Sequence, residues 1–206
     1  MQTWVLLERQ GQKYFLEMPH VRYYEFATRN FIKFQEQSKL VDKLLKKTIV
    51  MPKEDDKAAW YEYHNSMINV LLYSALSLEA YINYYGTRYD IPFNNDLERL
   101  STLNKFKMYP TIKTRRTIDI EALNVIKKFF KLRDGFVHAK PERLKHGVDS
   151  PDESNSASAV IEREDKGKIM CDLNYVYQSI FKIDDDEKKM QVKTPWLHQF
   201  IKREED

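Results

Sequence analysis

Past the middle of the chain an arginine, an acid and a histidine stand close together: Arg133-Asp134-Gly135-Phe136-Val137-His138, followed by Ala139-Lys140-Pro141. The arginine guanidinium is always charged, and its planar fork suits two-point contact with a phosphate. A histidine titrates near neutral pH and can carry a proton. Together they can hold a phosphodiester and move a proton at it, with Asp134 orienting one or the other. The same residues also suit a structural role, the histidine bonding the last carbonyls of a helix and the arginine sitting in a salt bridge. Other catalytic patterns are missing: no glycine-rich phosphate loop, no H-E-x-x-H, no G-x-S-x-G and no C-x-x-C. Histidines 20, 64, 138, 146 and 198 show no metal-ligand spacing. Neither a metal nor an organic cofactor is expected.

The motif lies in the basic part of an unevenly charged chain. Residues 1–98 carry 12 basic and 13 acidic groups, residues 99–146 carry 13 and 4, and residues 149–206 carry 9 and 14. The formal net charge of +3 therefore hides a middle segment at +9. Such a segment is the usual footprint of a polyanion partner, or else a solvated helix surface whose acidic complement is the C-terminal part. The acidic tail from Asp184 onward can shield the basic cleft, though a solvated surface is the expectation, for the run Asp184–Glu187 as for the rest.

The elements that must position the motif follow from composition and periodicity. The 206 residues are 42% hydrophobic and 32% charged, enough apolar material for a core. The single cysteine, Cys171, excludes an intrachain disulfide framework and a cysteine-rich zinc site. No apolar run is long enough to span a bilayer, and residues 1–10 do not read as a signal peptide, so a soluble protein of a reducing cytoplasm is expected. Only five glycines, among many helix formers, lean the fold toward α.

Residues 3–8 and 13–18 flank a short R-Q-G-Q connection and predict a β-hairpin. A helix is expected from about Arg22 to Lys47 with Phe26, Phe31, Phe34, Leu40, Leu44 and Leu45 inward. After the acidic start Glu54-Asp55-Asp56, residues from Trp60 through Tyr63, Met67, Val70, Leu71, Ser74, Leu78, Tyr81 and Ile82 to Tyr85 recur at helical steps, with Gly86 as the stop. A shorter helix is expected over 94–108, broken by Pro110. The motif helix should run from about 120 to 139, capped by Asp119 or Thr117 and stopped by Pro141, with Leu123, Ile126, Phe130 and Val137 along one side and Phe129 and Phe136 beside them. Beyond a polar loop at 150–159, AVIER and KIMCD suggest a second hairpin. Asp172 then opens another helix, and Thr194-Pro195 starts a terminal one. The expected fold is mainly all-α: an up-and-down bundle of about four core helices with small β-hairpin additions. It is read as a single domain over 1–206, with a helical core at about 22–141, an N-terminal hairpin at 1–18 and a C-terminal extension at 150–206.

The motif R-D-G-F-V-H, followed by A-K-P, resembles the Arg–short gap–His signature of the HEPN superfamily. The upstream run S-A-L-S-L-E-A-Y-I-N at 74–83 is similar to the helix that precedes the motif helix in many members, and Glu98–Pro110 resembles the connecting segment. The likeness covers roughly residues 55–141. It implies a helical bundle that dimerises with its motif helices meeting in a cleft. Many members are metal-independent endoribonucleases of toxin–antitoxin or antiviral systems; others are noncatalytic modules that bind a protein or nucleotide. Carried over by position, Arg133 and His138 are the catalytic pair, Asp134 their polar companion, and Glu79 an acid that joins the site in some members.

On an ideal helix the five-residue step from Arg133 to His138 turns by about 140°. Either the helix loosens at Gly135, or the two side chains flank a groove that a second subunit completes. In the enzymatic reading Lys127, Lys128, Lys131, Lys140, Arg115 and Arg116, helped by Lys105, Lys107 and Lys113, hold RNA phosphates, and Tyr109 stacks on an unpaired base. The expected partners are RNA, a second copy of the chain, and an antitoxin or nucleotidyltransferase-like protein. The alternative is a noncatalytic HEPN-like module. A DNA-binding regulator fits less well, because the basic region spans a loop and a core-facing helix.

Overall fold

The computed structural model describes residues 4–9, 12–47, 54–91, 97, 99–137 and 166–193. Among them the order is β1 (Trp4–Arg9), β2 (Gln12–Glu17), α1 (Pro19–Lys47), α2 (Glu54–Arg88), α3 (Thr102–Thr114) and α4 (Ile120–Val137). A 3-10 turn (Lys166–Lys168), α5 (Ile169–Ile183) and α6 (Asp185–Lys193) follow. The protein is mainly all-α, and β1 pairs with β2 as an antiparallel hairpin, from Trp4 opposite Glu17 to Arg9 opposite Gln12. No described helix is long and apolar enough to cross a membrane.

The described residues form two compact units. One takes in the chain up to Tyr23, Leu76–Lys128 and residues from Cys171 onward; the other takes in Tyr24–Ala75 and residues from Phe129 to Met170. The core of the first includes Leu78, Tyr81, Ile82, Tyr85, Phe106, Tyr109, Ile126, Leu173, Val176, Tyr177 and Ile180. That of the second includes Tyr24, Ala27, Phe34, Met67, Val70, Leu71 and Phe129.

The expected stripe of α2 is buried from Tyr63 to Tyr85, with Trp60 half-buried. Gly86 does not stop the helix. It continues to Arg88, and the chain turns at Asp90, whose φ is 53°. A helical glycine costs only about 1 kcal/mol against alanine, and the last turn is anchored through Tyr85 and Arg88, described below.

In α1 the buried face is Tyr24, Ala27, Thr28, Phe34 and Val41, whereas Phe26 and Leu40 are exposed and Phe31 half-buried. The side chains of Leu44 and Leu45 lie outside the described residues. Phe34 is buried as expected, whereas Phe26 and Leu40 are displaced from the core because small Ala27 and Thr28 occupy the closest-packed positions. The start also moves to Pro19, a favoured first helical residue.

Pro110 sits buried inside α3 rather than breaking a helix at 108. It cannot donate to the carbonyl of Phe106, and the burial of Phe106, Tyr109 and Pro110 itself compensates. Ser101 caps the start, its hydroxyl accepting from the Asn104 amide at 3.4 Å. Arg115 closes the end in the left-handed region at φ 59°.

KIMCD is not a strand: Lys168 ends the 3-10 turn and Ile169–Asp172 open α5, three residues before the expected start. Ile169, Leu173, Val176 and Ile180 are buried at helical spacing, and that period outweighs the short alternation. The segment AVIER, the 150–159 loop and the terminal helix after Thr194 lie outside the described residues.

Candidate active site

The motif helix α4 starts where expected. Asp119 is its cap: Oδ1 accepts from the Ala122 amide at 2.8 Å. The Tyr175 hydroxyl of α5 donates to the same oxygen at 3.0 Å and reaches Glu121 at 3.2 Å. Partial desolvation pushes the Asp119 carboxyl up, but the Ala122 amide and the Tyr175 and Ser179 hydroxyls outweigh it and hold it below the usual carboxylate range. The inward face is Ala122, Ile126, Phe129 and Leu132. Of the residues expected there, Leu123 and Phe130 are half-buried and Val137 is exposed, so the true stripe is rotated by about one residue, some 100°.

Arg133 and Asp134 are brought together. Asp134 Oδ1 accepts from Arg133 Nε at 2.9 Å and from Nη2 at 2.7 Å, and the guanidinium lies 4.5 Å from the centre of the Phe130 ring. Ion pair and ring face together fix the plane of the guanidinium at a partly exposed position. The helix does not loosen at Gly135; it runs unbroken to Val137, and a Cβ built at Gly135 would meet nothing within 4 Å. His138 and Lys140 lie outside the described residues.

The basic residues separate into two sets. Lys107, Arg115, Arg116, Lys127 and Lys131 are on the surface, Lys127 and Lys131 one helical turn apart on α4. Lys128, one of the lysines expected to hold RNA phosphates, is only partly exposed, with Nζ 3.5 Å from Asp172 Oδ2. Lys113 pairs with Asp186 at 3.0 Å, and Lys105 donates to Asn83 Oδ1 at 2.8 Å. Tyr109 cannot stack on a base: it is fully buried, and its hydroxyl donates to the Leu97 carbonyl at 3.3 Å. Its spacing places it on the packed face of α3 with Phe106.

Glu79 belongs to the first unit and Arg133 to the second. Half-buried, Glu79 lines a groove of about 470 Å³ with Glu17, Tyr23, Asn83, Tyr84 and Thr87.

The polar centre that the sequence reading missed lies where α2 meets α6. Asp184 and Glu187, expected on a solvated surface, are 3% and 0% exposed. Glu187 accepts from the hydroxyls of Tyr81 at 3.0 Å and Tyr89 at 2.9 Å and faces Arg88 Nη1 at 3.2 Å. Asp184 accepts from the Tyr85 hydroxyl at 2.6 Å and, through its other oxygen, from the amides of Asp186 and Glu187 that open α6. Burial pushes the Glu187 carboxyl up, against the pull of Arg88 and the two hydroxyls. Burial likewise raises Tyr85 and Tyr89, with the neighbouring carboxylates adding to it. The available signal was periodic: Tyr81, Tyr85 and Tyr89 step by four, while 184 and 187 in the acidic run and 191 beyond it recur on one helical face. Compared with known protein families, with curated proteins and with solved structures, the chain matches none.

Proposed function

We propose that this protein is a metal-independent endoribonuclease of the HEPN type, acting as a homodimer in the cytoplasm as a toxin or antiviral effector. The observation that carries the reading is the Arg133–Asp134 pair. The motif arginine sits near the end of an intact helix at a partly exposed position, its guanidinium plane fixed by Asp134 and Phe130. An oriented cation of this kind suits the charge that builds on phosphorus.

In the reaction the ribose 2′-oxygen attacks the adjacent phosphorus, the bond to the 5′-oxygen breaks, and a 2′,3′-cyclic phosphate forms. His138 takes the 2′-hydroxyl proton and returns a proton to the departing 5′-oxygen. Arg133 stabilises the dianionic transition state, and Asp134 positions Arg133. Lys131, two residues before Arg133 on α4, holds the RNA backbone beside it, and the surface cations Lys127, Arg115 and Arg116 of the first unit are further phosphate contacts.

One feature favours the second reading, a noncatalytic module: Asp134 neutralises the arginine with two bonds, as a structural pair would. A labelled RNA pool incubated with wild type, Arg133→Ala and His138→Ala decides between them. The enzymatic reading expects cleavage by wild type and little by either folded variant. No cleavage by wild type, or equal cleavage by all three, rejects it.

A further inference from the structure

The basic segment is not uniformly available to a polyanion, because two of its lysines already face carboxylates from the acidic end of the chain. Lys113 Nζ lies 3.0 Å from Asp186 Oδ2 and 4.6 Å from the centre of the Tyr89 ring. Lys128 Nζ lies 3.5 Å from Asp172 Oδ2. Lys107, Arg115, Arg116 and Lys127 have no acidic partner among the described residues, so the two paired lysines differ from their neighbours in kind. Both acids come from α5 and α6, in a C-terminal segment of net charge −5. The Lys113 ammonium, by hydrogen bond and by charge, holds the Asp186 carboxyl below its usual range.

We propose that Asp172 and Asp186 are intramolecular competitors of RNA: each carboxylate occupies the place of a phosphate at its lysine, and RNA binds fully only by displacing them. The inference rests on the RNA reading above and assigns its regulation. Both pairs are solvent-accessible, with side chains 27–52% exposed for the acids and about a third exposed for the lysines. Exposed pairs of this kind are weak enough to exchange, whereas the fully buried Glu187 cannot. The polyanion must therefore outcompete two local carboxylates, which raises the threshold for weak or short RNA more than for a long strand that makes many contacts. Any event that neutralises or moves α5 or α6 would lower that threshold.

Asp185 supplies the internal control. It is exposed, adjacent to Asp186 on the same helix, and has no basic partner among the described residues. A general field effect of the acidic helix treats Asp185 and Asp186 alike; local competition does not. The test is binding of a short labelled 2′-O-methyl RNA, which cannot be cleaved through its 2′-oxygen, to the full chain at low salt, with circular dichroism showing each variant folded. Asp186→Asn and Asp172→Asn should each tighten binding about three-fold and the double variant about ten-fold. Asp185→Asn should change it by less than about 1.5-fold. In a Lys113→Gln background the gain from Asp186→Asn should vanish. Equal gains from Asp185→Asn and Asp186→Asn, or a gain that survives Lys113→Gln, overturn the competition while leaving RNA binding standing. Binding by neither wild type nor any variant overturns the RNA reading and this inference with it.

Discussion

Glu187 ties α6 to α2 through a buried ion pair and two hydroxyls, and removing it has a calculable cost. Its carboxylate is fully buried, accepts two tyrosine hydroxyls and faces Arg88, whose own side chain is only 15% exposed. Glu187→Ala leaves the guanidinium and both hydroxyls without that acceptor. Removing one partner of a buried pair costs about 3–5 kcal/mol, and hydrogen bonds to a charged group are worth about 1.5–3 kcal/mol each. These figures overlap, so about 4 kcal/mol is expected. Arg88→Met should cost about 3 kcal/mol, because it strands the buried carboxylate. The double variant should cost less than the sum by about 2 kcal/mol, since neither charge is then left alone. Equilibrium urea unfolding of the four proteins measures this cycle. Acidity supplies a second readout. Burial raises the folded carboxyl pKa, so the folded state holds this proton more tightly than the unfolded chain does. Wild type therefore loses stability relative to Glu187→Gln as pH rises from the ordinary carboxylate range through the raised value. A Glu187→Ala cost below about 1 kcal/mol, or additivity within about 0.5 kcal/mol, would refute the reasoning.

His20 is fully buried against Tyr81 and Tyr84; desolvation, helped by the Arg88 charge, lowers its pKa from 6.5 to about 3. The unfolded chain takes up that proton first, so stability should fall by about 1.4 kcal/mol per pH unit as pH drops from 6.5 toward 3. Urea midpoints of wild type and His20→Leu across this window should diverge accordingly; parallel curves sink the assignment. Gly135→Ala should add about 1 kcal/mol in thermal melts, because the helix is regular there and the added methyl meets open space. Loss of stability together with a fall to monomer in light scattering would instead mark close approach of a second subunit. Lys127→Glu should leave stability within about 0.5 kcal/mol, whereas Lys128→Glu places like charges together at Asp172 and should cost about 0.5–1 kcal/mol. Identical melts for the two would contradict the pairing.

The mainly helical class, the N-terminal hairpin, the buried stripe of α2 and the choice of Asp119 or Thr117 as the α4 cap were legible in the sequence, because each is a local pattern with a strong physical cause. Helix phase was less legible. In α1 and α4 several apolar residues compete for the core, and small residues such as Ala27 and Ala122 take the tight positions without adding to a hydrophobic count. Pro110 and Gly86 were read as breakers, yet tertiary packing holds both inside helices. The acidic run at 184–187 looked solvated because its partners, Tyr85, Tyr89 and Arg88, are about a hundred residues away in the chain. At the candidate site, the adjacency of Arg133 and Asp134 was visible; the charge asymmetry pointed to the C-terminal part as the acidic complement of the basic segment, but not to Asp186 and Asp172 as the particular partners of Lys113 and Lys128, since long-range ion pairs leave no local trace.

The central claim, cleavage through an RNA's own 2′-oxygen at Arg133 and His138, is tested most directly by the chemistry of the cut ends. RNA incubated with wild type in excess EDTA should yield fragments ending in 2′,3′-cyclic phosphate and 5′-hydroxyl. A single 2′-deoxy substitution at a cut site should abolish cleavage there. Arg133→Ala and His138→Ala should each remove most of the rate, and the double variant little more. Cleavage at the deoxy position, 5′-phosphate ends, or full activity in folded His138→Ala would contradict the account.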